Sequence, residues 1–124
     1  MTIQECYQTL GGNFGRTEKR LPSAGMIERF LMRFPQDPTF SEFCQAMEAR
    51  ECERAFRCAH TLKGVCANLG FDRLMDSTGR LTEALRAQNA VPQDAGALFE
   101  AVRRDYELTV SAIRDYSESV ESLQ

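Results

Sequence analysis

The sequence has 124 residues, of which 43% are hydrophobic and 27% are charged, a composition typical of one compact domain. The formal net charge of −3 argues against a nucleic-acid partner, because such partners select a basic face. No apolar run approaches the roughly 18 residues that span a bilayer, and the first ten residues lack the features of a secretion signal, so the sequence predicts a cytoplasmic protein without a membrane partner.

The first 36 residues predict short helices. A helix over residues 2–10 ends at the paired glycines that follow it, and a second helix over residues 23–34 is capped by Ser23. Between them, the stretch GGNFGRTEKR (residues 11–20) predicts a helix stop and turn. It has the spacing of neither common nucleotide-binding glycine loop, which argues against a kinase acting on ATP. The second helix has apolar residues with helical spacing at Met26, Ile27, Phe30, Leu31 and Phe34.

The next two helices lie either side of a predicted turn. The first opens with Asp37 as N-cap and Pro38 at the first helical position, and it extends to about residue 49. The second runs over residues 51–69 and ends at Gly70, a residue that readily adopts the left-handed conformation of a helix end.

Two further helices complete the predicted fold. One extends over residues 71–88. Its connection to the preceding helix is so short that the two helices are expected to form an antiparallel hairpin. Residues 89–96 predict a loop with Asp94 as a cap, and a final helix frays from about residue 117. Its predicted inward positions are Leu98, Val102, Tyr106, Thr109, Ile113 and Tyr116.

These elements predict an all-α fold. The best architecture is an antiparallel four-helix bundle over residues 37–120, with two or three additional short N-terminal helices in residues 1–36 packed against it. We expect the whole chain, residues 1–124, to form a single domain.

The helix over residues 51–69 carries the only histidine, His60. At about 100° per residue, its apolar positions form one continuous arc between about 140° and 280° from His60. The centre of this arc lies near Leu62, about 160° from His60. We therefore expect His60 to point out of the bundle.

Six residues are predicted to share this outer face with His60, one of which is Glu53. Lys63 and Phe56 lie about one turn away on either side, and Gly64, Ala67 and Arg57 lie within about 60° of the histidine. A glycine within a helix costs about 1 kcal/mol relative to alanine, which suggests that Gly64 keeps the surface low for a partner. Lys63 is a mobile point charge suited to contact an oxyanion. A surface histidine beside a lysine also occurs without any function.

Five cysteines raise a separate possibility. Their number is odd and no pair has C-x-x-C spacing, so a disulfide framework or a zinc site is not indicated. We expect free, buried thiols that act as small hydrophobic groups. No metal site is predicted. The cysteines are Cys6, Cys44, Cys52, Cys58 and Cys66.

The stretch AHTLKGVCANLGFDRL (residues 59–74) resembles the signature of histidine-containing phosphotransfer (HPt) domains, roughly H-x-L-K-G followed by a small-residue turn and L-G. The resemblance extends over about residues 37–116. It implies a helical bundle in which the exposed His60 takes a phosphoryl group from a receiver-domain aspartate and passes it to another receiver. It implies response-regulator receiver domains, and possibly a hybrid histidine kinase, as partners.

The chemistry of the residues agrees with this implication. A neutral imidazole has a ring nitrogen that can act as nucleophile, and phosphoryl transfer needs mainly positioning and charge neutralisation, usually with a metal ion. Only Glu53 lies near His60, two turns away, so we expect no cofactor in this chain and a divalent metal held by the partner receiver. The expected protein is a monomeric phosphoryl carrier without autonomous ATP-dependent kinase activity.

Two alternatives stay open at this stage. One is a helical protein-interaction module in which His60 is incidental. The other is a metal or redox sensor that uses the cysteines and His60.

Overall fold

The computed structural model describes residues 1–122, so residues 123–124 of the predicted domain lie outside the described part. The described part contains seven α-helices, one short 3-10 helix and no strand, which confirms the all-α class. None of these helices is both long and apolar enough to cross a membrane. The elements are α1 (Ile3–Leu10), α2 (Phe14–Arg20), α3 (Ala24–Arg33), a 3-10 helix (Phe34–Gln36), α4 (Thr39–Glu48), α5 (Cys52–Leu69), α6 (Asp72–Leu85) and α7 (Ala95–Glu121).

The predicted turn over residues 11–20 is wrong for most of its length, because α2 occupies Phe14–Arg20. The side chain of Asn13 accepts a hydrogen bond from the backbone N–H of Arg16 at 2.9 Å and thereby caps this helix. Gly15 lies within the helix, and because glycine has a low helix propensity, the sequence pattern did not predict a helix here. The prediction of a helix stop is confirmed at Gly11, whose φ of 78° is left-handed.

The predicted cap of α3 is present, whereas the prediction for α4 is wrong: Pro38 rather than Asp37 is the N-cap residue, and it makes no side-chain capping hydrogen bond. Ser23 accepts a hydrogen bond from the N–H of Met26 at 3.1 Å. The carboxylate of Asp37 accepts one from the N–H of Thr39 at 2.8 Å, although α4 begins one residue later than expected. On α3, Phe30 has the helical spacing of its apolar neighbours, but it is 38% exposed and lies in the wall of a surface groove.

Helices α4, α5, α6 and α7 pack in chain order, each against the next. Aromatic rings bring α7 back to α4: Phe40 stacks on Tyr106 with ring centroids 3.8 Å apart, and Phe43 meets Phe99 edge-on at 5.2 Å. These neighbour relations are those expected of the predicted bundle, and they place α5 and α7 across the core from each other.

The ends of the last two helices differ from the prediction. Helix α6 ends at Leu85 rather than at residue 88, because Ala87 adopts a left-handed φ of 55°. Asp94 precedes α7 but makes no capping hydrogen bond with its side chain. Helix α7 does not fray at residue 117; it continues to Glu121, since α1 packs along it.

The N-terminal helices hold the turn that ends α5. The Tyr7 hydroxyl and the Thr17 hydroxyl both donate to the carbonyl oxygen of Leu69, at 2.7 and 3.0 Å. The N–H of Asn13 donates to the carbonyl oxygen of Gly70 at 2.8 Å. Because the last carbonyls of a helix lack partners within it, these bonds fix the end of α5.

Candidate functional site

His60 lies at the middle of α5 and is exposed, which is where the helical spacing puts it. The opposite face of α5 is buried in the bundle core. Of the predicted apolar arc, only Val65 is half-buried rather than buried. The buried residues of this face are Cys52, Ala55, Cys58, Ala59, Leu62, Cys66 and Leu69.

On the side of His60 that faces α6, the Phe56 ring is in contact with the guanidinium group of Arg86. The centroids of the Phe56 and His60 rings lie 6.1 Å apart. The guanidinium carbon of Arg86 lies 5.1 Å from the centroid of the Phe56 ring, a cation–π contact. Arg86 also donates from Nε and Nη2 to the two carboxylate oxygens of Glu83, at 3.1 and 3.0 Å. Arg86 thus pairs its charge with Glu83 and lies against the Phe56 ring, in a part of the surface where both charged side chains are exposed.

Lys63 lies on the same side, with its stem above a glycine. A Cβ atom placed on Gly79 of α6 would lie 3.5 Å from Lys63 Cε and 3.8 Å from Nζ, so the lysine occupies the space over this residue. The hydrogen bonds from Arg86, and to a smaller extent the charge of Lys63, lower the pKa of the Glu83 carboxyl. Lys63 thus extends over α6 toward Glu83, while the charge of Arg86 is paired with the Glu83 carboxylate.

Gly64 leaves the surface open on the side of α4. It is exposed, and a Cβ atom at this position would meet no other atom within 4 Å. Arg57 is also on this side, exposed and paired with Glu53 at 3.4 Å. Ala67 is half-buried two turns after His60, and its carbonyl oxygen accepts a hydrogen bond from Nη1 of Arg20 at 2.7 Å.

All six residues predicted for the site thus lie along one face of α5, with Ala67 at its far end. The structure adds three residues that the sequence analysis missed: Gly79 and Glu83 of α6, and Arg86, which directly follows this helix. The Glu83–Arg86 spacing of three residues and a second glycine inside a helix were the available signals. Their proximity to His60 depends on how α6 packs against α5, which helical spacing alone does not give.

The described residues hold no group of three or more histidine, cysteine or acidic side chains that could bind a metal ion. All five cysteines are free thiols. Burial raises the pKa of the Cys6 thiol to about 11 and raises that of Cys66 as well. Since the thiolate is the reactive form, these two groups are inert near neutral pH.

The arrangement is suited to chemistry on an anion supplied from outside. The imidazole can act as nucleophile, and the ammonium of Lys63 can stabilise phosphoryl oxygens. No deep cavity encloses the ring, because it stands on an exposed helix face. A reaction centre here is complete only when a second surface covers it.

Comparison with known proteins agrees with this geometry. The family model of the Hpt domain matches residues 25–116, a stretch that contains His60 and most of the bundle. No curated protein and no solved structure matches the chain. Hpt domains are helical phosphocarriers rather than kinases; they act in two-component phosphorelays and interact with receiver domains. The chain belongs to the Hpt domain family.

Proposed function

We propose that His60 accepts a phosphoryl group from the phosphorylated aspartate of a receiver domain and passes it to the aspartate of another receiver. The observation that carries this proposal is the exposure of the chain's only imidazole on α5, one turn from Lys63 and beside the open surface at Gly64. A phosphorelay needs this exposure, because two different proteins must reach the same nitrogen.

The transfer step is a displacement at phosphorus. A ring nitrogen of His60 attacks, the phosphorus–nitrogen bond forms, and the bond to the aspartate oxygen breaks with its electron pair leaving on the carboxylate. The reverse step returns the group to a receiver aspartate. We propose that Lys63 neutralises charge on the phosphoryl oxygens and that the receiver supplies the divalent metal ion.

Gly64, Phe56, Arg57 and Ala67 are proposed as contacts for the receiver. The open surface at Gly64 admits the partner's backbone, and Phe56 provides an aromatic ring at the edge of the imidazole. The monomeric state, the cytoplasmic location and the absence of ATP-dependent activity, all expected from the sequence, stay predictions.

The test is a transfer assay with the purified protein and each receiver domain of the source organism, phosphorylated with a small-molecule phosphodonor in the presence of Mg²⁺. At least one receiver should label the protein, and the label should be labile to acid and stable to mild base, as a phosphoramidate is. The His60→Gln variant should keep its circular dichroism spectrum and melting temperature and accept no phosphate. Undiminished labelling of that variant would show that another residue accepts the group.

Two controls separate the alternatives. ATP alone should not label the protein; efficient labelling would reveal an autonomous kinase site. A receiver that binds the protein tightly but never transfers to it would favour the interaction module, in which His60 is incidental.

A further inference from the structure

A groove of about 450 Å³ opens on the surface between α2, α3 and α5. Its apolar wall comprises Leu21, Phe30, Phe34 and Val65, and its rim carries Arg20 and Arg33. Phe30 is 38% exposed, one of two large hydrophobic side chains exposed to this degree among residues 1–122. The groove therefore presents an uncovered aromatic ring between two guanidinium groups.

The groove is continuous with the candidate site. The exposed face of α5 runs from His60 through Gly64 to Asn68, and both Val65 and Asn68 line the groove. Arg20 bonds to the carbonyl oxygen of Ala67, seven residues after His60 and so about 10 Å along the helix axis. A standard protein interface covers about 800 Å² on each partner, a patch roughly 16 Å in radius. A receiver centred on His60 therefore reaches the groove.

The charge of the groove points to the kind of surface it fits. The chain as a whole is acidic, with a net charge of −3, yet the rim has two arginines against one carboxylate, Asp37. Aromatic residues and arginine are the side chains enriched at protein interfaces. The fitting partner surface is an apolar side chain bordered by carboxylates.

The origin of the groove residues gives it a role distinct from that of His60. Arg20 and Leu21 precede the stretch that matches the Hpt domain, residues 25–116, whereas Val65 and Asn68 lie on the helix of His60. Most of the groove lining, including Phe30 and Arg33 of α3, lies within the match, and only Arg20 and Leu21 come from outside it. A surface built in this way can distinguish receivers that all present the same aspartate to His60.

We propose that the groove between α2, α3 and α5 is a docking surface for the receiver domain that exchanges phosphoryl groups with His60, and that it selects this receiver among others. The inference rests on the proposed function of His60. The groove binds an apolar residue of the receiver next to an acidic one, with Arg20 and Phe30 as the principal contacts.

The test uses the full chain and the receiver that labels it most rapidly. Arg20→Glu and Phe30→Ser should each raise KM for the phosphorylated receiver at least tenfold and change kcat less than twofold, since neither residue contacts the imidazole. The matched control is Arg104→Glu, an exposed arginine of α7 that alters the net charge equally. It should leave KM within twofold. A second receiver, one that transfers slowly to the native protein, serves for comparison. The groove variants should change the KM of this slow receiver little, so the difference in KM between the two receivers should become smaller.

The hydrogen bond between Arg20 and Ala67 requires a check on folding, so Arg20→Ala is measured beside Arg20→Glu, with the melting temperature of each. The alanine variant should raise KM in the same direction but less. If both groove variants transfer with the KM of the control, the groove proposal is wrong while the function of His60 stands. If Phe30→Ser changes the oligomeric state and not KM, the groove binds a second copy and the proposal is likewise wrong. If no receiver labels the native protein, the proposed function itself fails.

Discussion

Gly64 offers the sharpest separation of stability from function, because fold and transfer should respond to it with opposite sign. Glycine within a helix is about 1 kcal/mol less favourable than alanine. A Cβ atom at position 64 meets nothing within 4 Å, so alanine carries no steric penalty. We expect Gly64→Ala to stabilise the protein by about 0.5–1 kcal/mol, which raises the melting temperature of a domain of this size by roughly 2–6 °C.

A larger side chain at the same position should keep the fold and obstruct the partner. Leucine is a good helix former, and position 64 is exposed, so Gly64→Leu should melt no lower than the native protein. Side chains on a helix lean toward its N-terminus, which directs this leucine toward His60 one turn earlier. A misplacement of about 1 Å at a reacting centre can cost a hundredfold in rate. We expect Gly64→Leu to slow phosphotransfer by about that factor.

The assay pairs thermal melting by circular dichroism with the rate of label transfer from a phosphorylated receiver. Gly96 provides a matched control, since it is exposed in α7 and a Cβ atom there also meets nothing within 4 Å. Gly96→Leu should leave transfer unchanged. If Gly64→Ala lowers the melting temperature, the glycine serves internal packing. If Gly64→Leu transfers at the native rate, the receiver docks elsewhere on the protein.

Three further outcomes can be checked. Lys63→Ala should slow transfer at least tenfold and shift the melting temperature by less than about 2 °C, since an exposed charge contributes little to stability; equal rates would mean that Lys63 has no role. Gly70→Ala should destabilise the protein measurably in urea, because Gly70 has a φ of 72° and a Cβ atom there would lie 2.9 Å from the carbonyl oxygen of Asn13; an unchanged midpoint would contradict this. Burial raises the pKa of Tyr7 from 10.0 to about 12, so the buried neutral phenol stabilises the fold below pH 10 and this contribution is lost as pH rises through 12. Tyr7→Phe should thus be about 1 kcal/mol less stable than the native protein at pH 7, because the hydrogen bond to Leu69 is lost. Urea titrations should show this difference in stability becoming smaller between pH 10 and 12. A difference that stays constant would contradict the raised pKa of Tyr7.

Much of the fold follows from local signals in the sequence. Ser23 and Gly70 mark helix ends by chemistry that acts within a few residues, and each is found where it was expected, whereas Asp37 lies one residue before the N-cap of α4. Helix α2 was missed because Gly11 and Gly12 before it, and Gly15 within it, favour a turn. Its capping signal is a single asparagine, Asn13. Phe30 shares the helical spacing of its apolar neighbours on α3, but spacing alone does not show whether another element covers that face.

The residues of the candidate site also fall into those that helical spacing predicts and those that depend on tertiary packing. His60, Lys63 and Gly64 share one helix, so their relative positions follow from 3.6 residues per turn. Arg86 and Gly79 enter only through the packing of α6 on α5, where the register is set by the whole core. The groove beside the site also depends on long-range packing, since Leu21 and Val65 are far apart in the chain.

The packing of α1 on α7 has a consequence for synthesis. The thiol of Cys6 donates to the carbonyl oxygen of Ala112, 106 residues later in the chain. At about 5–20 residues per second on the ribosome, α7 emerges roughly 5–20 s after α1. A helix of eight residues is too short to persist alone in water, so α1 stays unfolded over this interval with its apolar residues accessible. The core is therefore completed by the packing of α1 on α7, and this step waits until α7 has emerged.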